Sequence, residues 1–247
     1  MNQGDYWLSR ITSREDINWQ ELVRLGGLNP YRQHQELCKL FDLSPKEQKN
    51  DKTPTPFLFR TERITPESTV GYAHPKLVGL PVFYVLSNQK PADRTGLWHV
   101  DTHENEYRPD LHEGDRLAFK LRANPVVTRK TEQGRRHDVV MDAKRRMDWR
   151  NLPPEQRPTL VQLAHDAGSR WLLGRAENLG CEFDASTLRV DGHDTWRQRY
   201  GKKIELSTLD FEGVLQVTES DRFLGALLNG IGPAKAFGCG LMLVKRI

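Results

Sequence analysis

The sequence predicts an α+β protein made of two consecutive βαββαβ units. Three observations carry this. From Asp115 to Val244, strand-like and helix-like segments follow one another in the order β-α-β-β-α-β. A weaker version of the same order begins at Tyr6. The chain has 247 residues, 37% of them hydrophobic, which is enough for one large core or two small ones. That order of elements defines the tandem ferredoxin-like (RRM-like) arrangement, with its split βαβ units.

In the first half, Tyr6–Ile11 alternates apolar and polar residues and reads as a strand. A helix is expected from Pro30 to Phe41, with Asn29 as N-cap, Pro30 in its first turn and Leu37, Leu40 and Phe41 as its buried stripe. Ser44–Pro56 is polar, holds three prolines and reads as a loop. Phe57–Arg63 and Leu80–Ser87 are strands by their apolar and β-branched content. Lys90–Gly114 is polar and mixed, and reads as a linker. The expected domains are therefore residues 1–95, carrying the Pro30 helix, and 110–247.

The second half opens with a strand in Asp115–Val127. Thr159–Leu179 has helical periodicity, with Leu160, Leu163, Ala164, Ala167, Trp171 and Leu172 on one side. Phe183–Arg189 and Lys203–Val217 read as strands. Asp221–Leu228 reads as a helix capped by Ser220, and Phe237–Val244 as a final apolar strand. Thr195–Leu206 reads as a hairpin turning near Gly201.

Charge narrows the partner. Net charge is only +4, but Lys120–Arg150 holds ten Lys and Arg against four acids, so the positive surplus is concentrated there. A basic zone on an otherwise near-neutral chain suits a polyanion, although a solvated loop has the same composition. Arg122, Arg129, Lys130, Arg135 and Arg136 lie in this zone. Arg197, Arg199, Lys202 and Lys203 surround the hairpin tip. A four-stranded sheet of the RRM kind is itself a nucleic-acid platform. Gly230, Gly232 and Lys235 belong to a glycine-rich tail, GIGPAKAFGCGL, between a helix and a strand. That context is wrong for a dinucleotide fingerprint. The glycines would let backbone approach a phosphate, or simply make a tight turn.

Tyr31 and His34 are three residues apart and share a helix face. Histidine transfers protons near neutral pH. Lys39 lies roughly 140° further round at 100° per residue and reaches the same place through its long side chain. His99 and His103, with Glu104 and His112 nearby, are at most half a metal site on a polar segment, so no metal and no cofactor is expected. Cys38, Cys181 and Cys239 are scattered singles, read as buried hydrophobes in a reducing compartment. No apolar run is long enough for a membrane span and MNQGDYWLSR is no signal peptide, so a cytoplasmic location is expected.

Three stretches together resemble one family, the CasE endoribonucleases of type I-E CRISPR systems. NPYRQHQELCKLF is similar to that family's Y-x-x-H-x-x-L-x-x-L-F helix, supplying Tyr31, His34, Leu37, Leu40 and Phe41. FKLRANPVVTRK with RRHDVV resembles its L-R-A-N-P segment. FEGVLQVTESDRFLGALLNGIGPAKAFGCGLMLV resembles its C-terminal glycine-rich signature. The resemblance implies tandem ferredoxin-like domains and a precursor CRISPR RNA substrate with a repeat stem-loop. It implies cutting at the 3′ base of the stem, and retention of the mature guide RNA among the other subunits of a Cascade complex. It makes His34 the acid–base residue and Tyr31 its partner, with Lys39 a basic residue that some members share. A 2′-hydroxyl attack would leave a 2′,3′-cyclic phosphate and a 5′-hydroxyl. The rival readings are a non-catalytic double-RRM RNA-binding protein and a scaffold subunit that binds RNA only within an assembly.

Overall fold

The computed structural model describes residues 5–43, 57–67, 75–129, 134–198 and 204–247. The chain divides into two compact units, Met1–Pro109 with Lys235–Gly238, and Asp110–Ala234 with Cys239–Ile247. Among the described residues, no helix is long and apolar enough to cross a membrane. The expected loop at Ser44–Pro56 lies outside the described residues.

The first unit contains β1 (Trp7–Ser13), α1 (Trp19–Gly26), α2 (Pro30–Cys38), β2 (Phe57–Arg63), β3 (Pro81–Ser87) and β4 (Trp98–Thr102). Its sheet runs in the order β2-β3-β1-β4. β1 and β2 both pair antiparallel with β3, so they are parallel to each other with a strand between them. This is the split βαβ arrangement that the order of elements predicts. Alternation along the strands puts Ile11, Phe59, Phe83 and Val85 into one core, where Leu22 and Leu25 of α1 and Leu37, Leu40 and Phe41 at the end of α2 meet them.

Three expectations for this half are corrected. α1 is an addition to the expected order, with Asn18 as its cap accepting from the Glu21 N–H at 2.9 Å. The segment read as a linker holds β4, an edge strand paired with β1, in which Trp98 is the buried residue. No helix lies between β3 and β4, where residues 88–97 make only bends and irregular backbone. Pro91 and the absence of an apolar 3.6-residue period account for that.

The second unit contains β5 (Arg116–Ala123), β6 (Val126–Arg129), β7 (Arg135–Asp138), α3 (Val139–Arg146), α4 (Leu160–Leu173), α5 (Ala176–Leu179), β8 (Cys181–Phe183), β9 (Arg189–Gln198), β10 (Ile204–Val217), α6 (Ser220–Asn229) and β11 (Met242–Arg246). The sheet order is β11-β5-β10-β8, with β9 also on β10. β5 and β8 flank β10, and β10 and β11 flank β5, giving two split units in one sheet. β6 and β7 form a separate hairpin leading into α3.

Here too the structure shifts some boundaries. The strand expected from Phe183 is broken, because Asp184 turns the chain by accepting from the Ser186 N–H at 3.0 Å. Ser220 is not a cap but the first residue of α6. Glu219 holds the cap position, and its backbone N–H donates to the Gly180 carbonyl at 3.0 Å. Lys235–Phe237 is a 3-10 turn, and the last strand starts only at Met242.

α4 starts with a capping box between Thr159 and Gln162 and buries Leu163, Ala164, Ala167, Trp171 and Leu172. Gly168 lets it approach the sheet closely. A Cβ there would stand 2.7 Å from Val190 Cγ1 and 2.8 Å from Leu209 Cδ1, both in the core. Gly168→Val is therefore expected to overpack this interface and cost about 1–3 kcal/mol, outweighing any gain in helix propensity. The urea unfolding midpoint measures it; an unchanged midpoint would mean that α4 can back away from the sheet freely.

Candidate functional site

α2 is started by Asn29, whose side chain accepts from the Arg32 N–H at 2.9 Å, with Pro30 in the first turn. The helix ends at Cys38, and Lys39 is its C-cap. Leu37 is fully buried and fixes the helix's rotation. That rotation places His34 half-buried against β2.

The imidazole of His34 packs on two phenylalanines that alternate along β2. Its centroid lies 5.5 Å from that of Phe57 and 6.3 Å from that of Phe59, the latter stacked. Cys38, one turn on, brings its Sγ to 3.5 Å from His34 Nε2. Burial pushes the Cys38 thiol up to about 11, so it stays protonated and can donate. Nδ1 of His34 is buried with no hydrogen-bond partner among the described residues. Burial lowers the pKa of His34 below its ordinary 6.5, because an imidazolium loses solvation in this apolar setting. The result is an imidazole kept neutral at neutral pH, the form that accepts a proton.

Tyr31 lies one turn earlier and is exposed. Lys39 is engaged elsewhere: its ammonium lies 2.9 Å from Glu36 Oε2, and Arg24 reaches Glu36 Oε1 at 2.8 Å. Burial opposes ionisation of Glu36, but hydrogen bonds from Lys39 and Arg24 outweigh it and hold the carboxyl below its usual range.

The glycine-rich tail has an unusual backbone. Gly230 and Gly232 have φ of +73° and +80°, and Ala234 takes +62°, a region that residues with a Cβ enter rarely. Lys235–Phe237 packs against α2 and β2 within the first unit.

Of the expected RNA contacts, Arg122 is held by Asp210, its Nη2 2.6 Å from Oδ2. Arg129 is held by the buried carboxylate of Asp142, its Nε 3.0 Å from Oδ1. Arg135 and Arg136 are exposed on β7, and Arg135 lies directly across from Arg129. Like charges directly opposite destabilise a ladder, and Asp142 offsets only one of the two. Arg197, exposed on β9, lies 2.7 Å from Glu205 on β10. Lys130, Arg199, Lys202 and Lys203 lie outside the described residues. His99, His103 and His112 do not converge: among the described residues no group of three His, Cys, Asp or Glu is placed to hold an ion.

Sequence reasoning missed Cys38, Phe57 and Phe59 as the walls of His34. Cys38 had a signal, since i and i+4 share a helix face. Phe57 and Phe59 share a strand face, but nothing local pairs that face with α2.

Several known proteins resemble this chain. The Cascade subunit CasE of Escherichia coli (strain K12) is 29% identical over 226 residues, which are 90% of this chain and 94% of that protein. The CRISPR-associated endoribonuclease Cse3 of Thermus thermophilus is 32% identical over 142 residues, 56% of this chain and 59% of that one. A structure of Cse3 bound to a 19-nt RNA superimposes with a TM-score of 0.66 at 24% identity, covering 98% of this chain and 99% of that one. Cas6e from E. coli K-12 does so with a TM-score of 0.56 at 23% identity, covering 98% and 100%. At these identities the superpositions speak for the tandem ferredoxin-like fold. The family described as CRISPR associated protein matches residues 6–246, nearly the whole chain, and this protein belongs to it, alongside CasE and Cse3.

Proposed function

We propose that this protein is a metal-independent endoribonuclease. It binds the repeat stem-loop of precursor CRISPR RNA, cuts at the 3′ base of the stem, and keeps the mature guide RNA within a Cascade complex. The observation that carries this reading is His34: a neutral, half-buried imidazole on a short capped helix, in a chain that is similar to CasE along almost its whole length. Its working place is the cytoplasm, where such transcripts are made.

RNA supplies its own nucleophile, the 2′-hydroxyl beside the scissile phosphate. His34 takes the proton from that hydroxyl on Nε2, once the Cys38 thiol releases it, as the 2′-oxygen bonds to phosphorus. The 5′-oxygen leaves and takes a proton, from solvent water or from the imidazolium that His34 has become, giving a 2′,3′-cyclic phosphate and a 5′-hydroxyl end. Tyr31 orients the reacting group. Lys39 offsets phosphorane charge only if it leaves Glu36, where Arg24 remains as a counter-ion. RNA is held by the exposed cations Arg135 and Arg136 on β7 and Arg197 on β9, together with Arg199, Lys202 and Lys203, which follow Arg197 in the sequence. Arg122, Arg129 and Lys130 join them, the first two once phosphate competes with their carboxylates. Gly230, Gly232 and Lys235 offer backbone and an ammonium to the phosphates.

Incubation with a transcribed repeat RNA, followed by mapping of the product ends, tests the reading. A 5′-hydroxyl fragment and cleavage undiminished by EDTA are expected. A 5′-phosphate or a strict need for Mg²⁺ would overturn the mechanism. Binding without cleavage would favour the double-RRM reading.

The buried setting of His34 also sets a pH dependence. If the neutral imidazole is the base, the rate rises with pH through the folded pKa and then levels off. Because that pKa is lowered, the plateau should be reached at a lower pH than for an ordinary imidazole of 6.5. Single-turnover rates across the acidic to neutral range measure this; a midpoint above 6.5 would contradict it.

A further inference from the structure

The 3-10 turn Lys235–Phe237 packs against α2 and β2, the two elements that carry His34 and its aromatic wall. The next residue, Gly238, has φ +79° and lies on the ring of Phe59: a Cβ there would stand 3.1 Å from Phe59 Cε2 and 3.5 Å from Cζ. Phe59 is fully buried and confined on its other sides. Phe57 lies 6.0 Å from it and Phe83 meets it edge-on at 6.4 Å, while the His34 imidazole stacks at 6.3 Å. A Cβ at Gly238 would thus press on the Cδ2–Cε2–Cζ edge of the same ring that stacks with the imidazole.

We infer that Gly238 is a positioning residue for His34: its missing side chain sets where Phe59 sits, and Phe59 sets the plane of the imidazole. Interiors this close-packed do not absorb an extra methyl group locally; they pass the displacement to the next contact. The imidazole is one of the three rings that Phe59 meets. A misplacement of about 1 Å in a reacting group costs on the order of 100-fold in rate. This inference rests on the reading of His34 as the proton acceptor. It gives the glycine-rich tail a task beyond turning the chain or approaching phosphate, since Gly238 acts through a side chain roughly 180 residues earlier in the sequence.

The test compares Gly238→Ala with Gly79→Ala. Gly79 belongs to the same unit, has φ +85° and faces open space, so its substitution carries the same backbone strain without touching Phe59. The His34 Cε1–H resonance in the ligand-free protein, assigned by its loss in His34→Ala, is the first readout. It should move in Gly238→Ala and stay in Gly79→Ala. The second readout is single-turnover cleavage of the repeat RNA. Gly238→Ala should be about 3- to 10-fold slower with RNA affinity within about twofold of the parent, because a Cβ 3.1 Å from Phe59 Cε2 asks for only a few tenths of an ångström, short of the about 1 Å that costs on the order of 100-fold. With Phe59→Leu in place, adding Gly238→Ala should slow cleavage little further, because the ring through which it acts is gone. An unmoved resonance overturns the inference. So does an affinity that falls with the rate, which would make Gly238 a point of RNA contact. Absence of cleavage by the parent protein would defeat the functional reading alone, because the resonance still decides the positioning role. Should Gly238→Ala fail to fold, Phe59→Leu by itself must slow cleavage without weakening binding, and an unchanged rate would overturn the inference.

Discussion

Replacing His34 by alanine is expected to slow cleavage of the repeat RNA by about 10²- to 10⁴-fold, the usual worth of one positioned acid–base group. RNA affinity should change little, for a physical reason. An imidazole kept neutral by burial makes no ion pair with phosphate, and a half-buried ring has little edge to offer a base. Stability should fall modestly, because the ring's contacts with Phe57 and Phe59 are lost. A fluorescence-anisotropy titration beside single-turnover kinetics separates these effects. Parallel loss of binding and rate would recast His34 as a recognition residue. Tyr31→Phe removes only a hydroxyl from an exposed ring and should cost less.

The second large effect lies in the RNA. A single 2′-deoxy nucleotide at the cut site removes the nucleophile itself, so cleavage should stop within the detection limit of the assay. The protein should still bind, since contacts to the stem's phosphates are untouched and each deoxy position removes one hydroxyl among many groups. Such an RNA would also trap the uncleaved complex. Water offers no substitute attack of comparable rate without an activating group, so residual cleavage at the deoxy position would point to an activated water and a different chemistry. Combining both changes is informative: His34→Ala should not slow the deoxy substrate any further.

The success and failure of sequence reasoning follow the range of the interactions involved. α2 is legible because everything that makes it is local: Asn29 caps, Pro30 starts, and Leu37, Leu40 and Phe41 repeat on one side. His34 stands out for the same reason, as a proton-transfer group one turn from Tyr31. β4 is invisible because only Trp98 of its five residues is buried, which is how an edge strand looks when one face and one rim meet solvent. α1 does carry a signal in Asn18 and Glu21, but of its apolar residues only Leu22 and Leu25, less than one turn apart, are buried, while Trp19 and Val23 face solvent. The expected second helix of the first unit is an inference from symmetry, and a segment of bends and Pro91 can connect β3 to β4 without one. The pairing of Arg122 with Asp210 and of Arg129 with Asp142 depends on strand register and helix placement, neither of which residue counting supplies.

The clustering of Lys235–Gly238 with the first unit has a consequence in time. A ribosome adds about 5–20 residues each second, and early domains generally fold as they emerge. Everything else in the first unit, including His34, Cys38, Phe57 and Phe59, lies before residue 110. Those parts can assemble some 125 residues, roughly 6–25 seconds, before the turn that covers Phe59 is made. A nascent chain would thus hold its histidine on an unbacked wall until translation has passed residue 238. On the role proposed for His34, nuclease competence would then arrive last, after the cations proposed to hold RNA have already been synthesised.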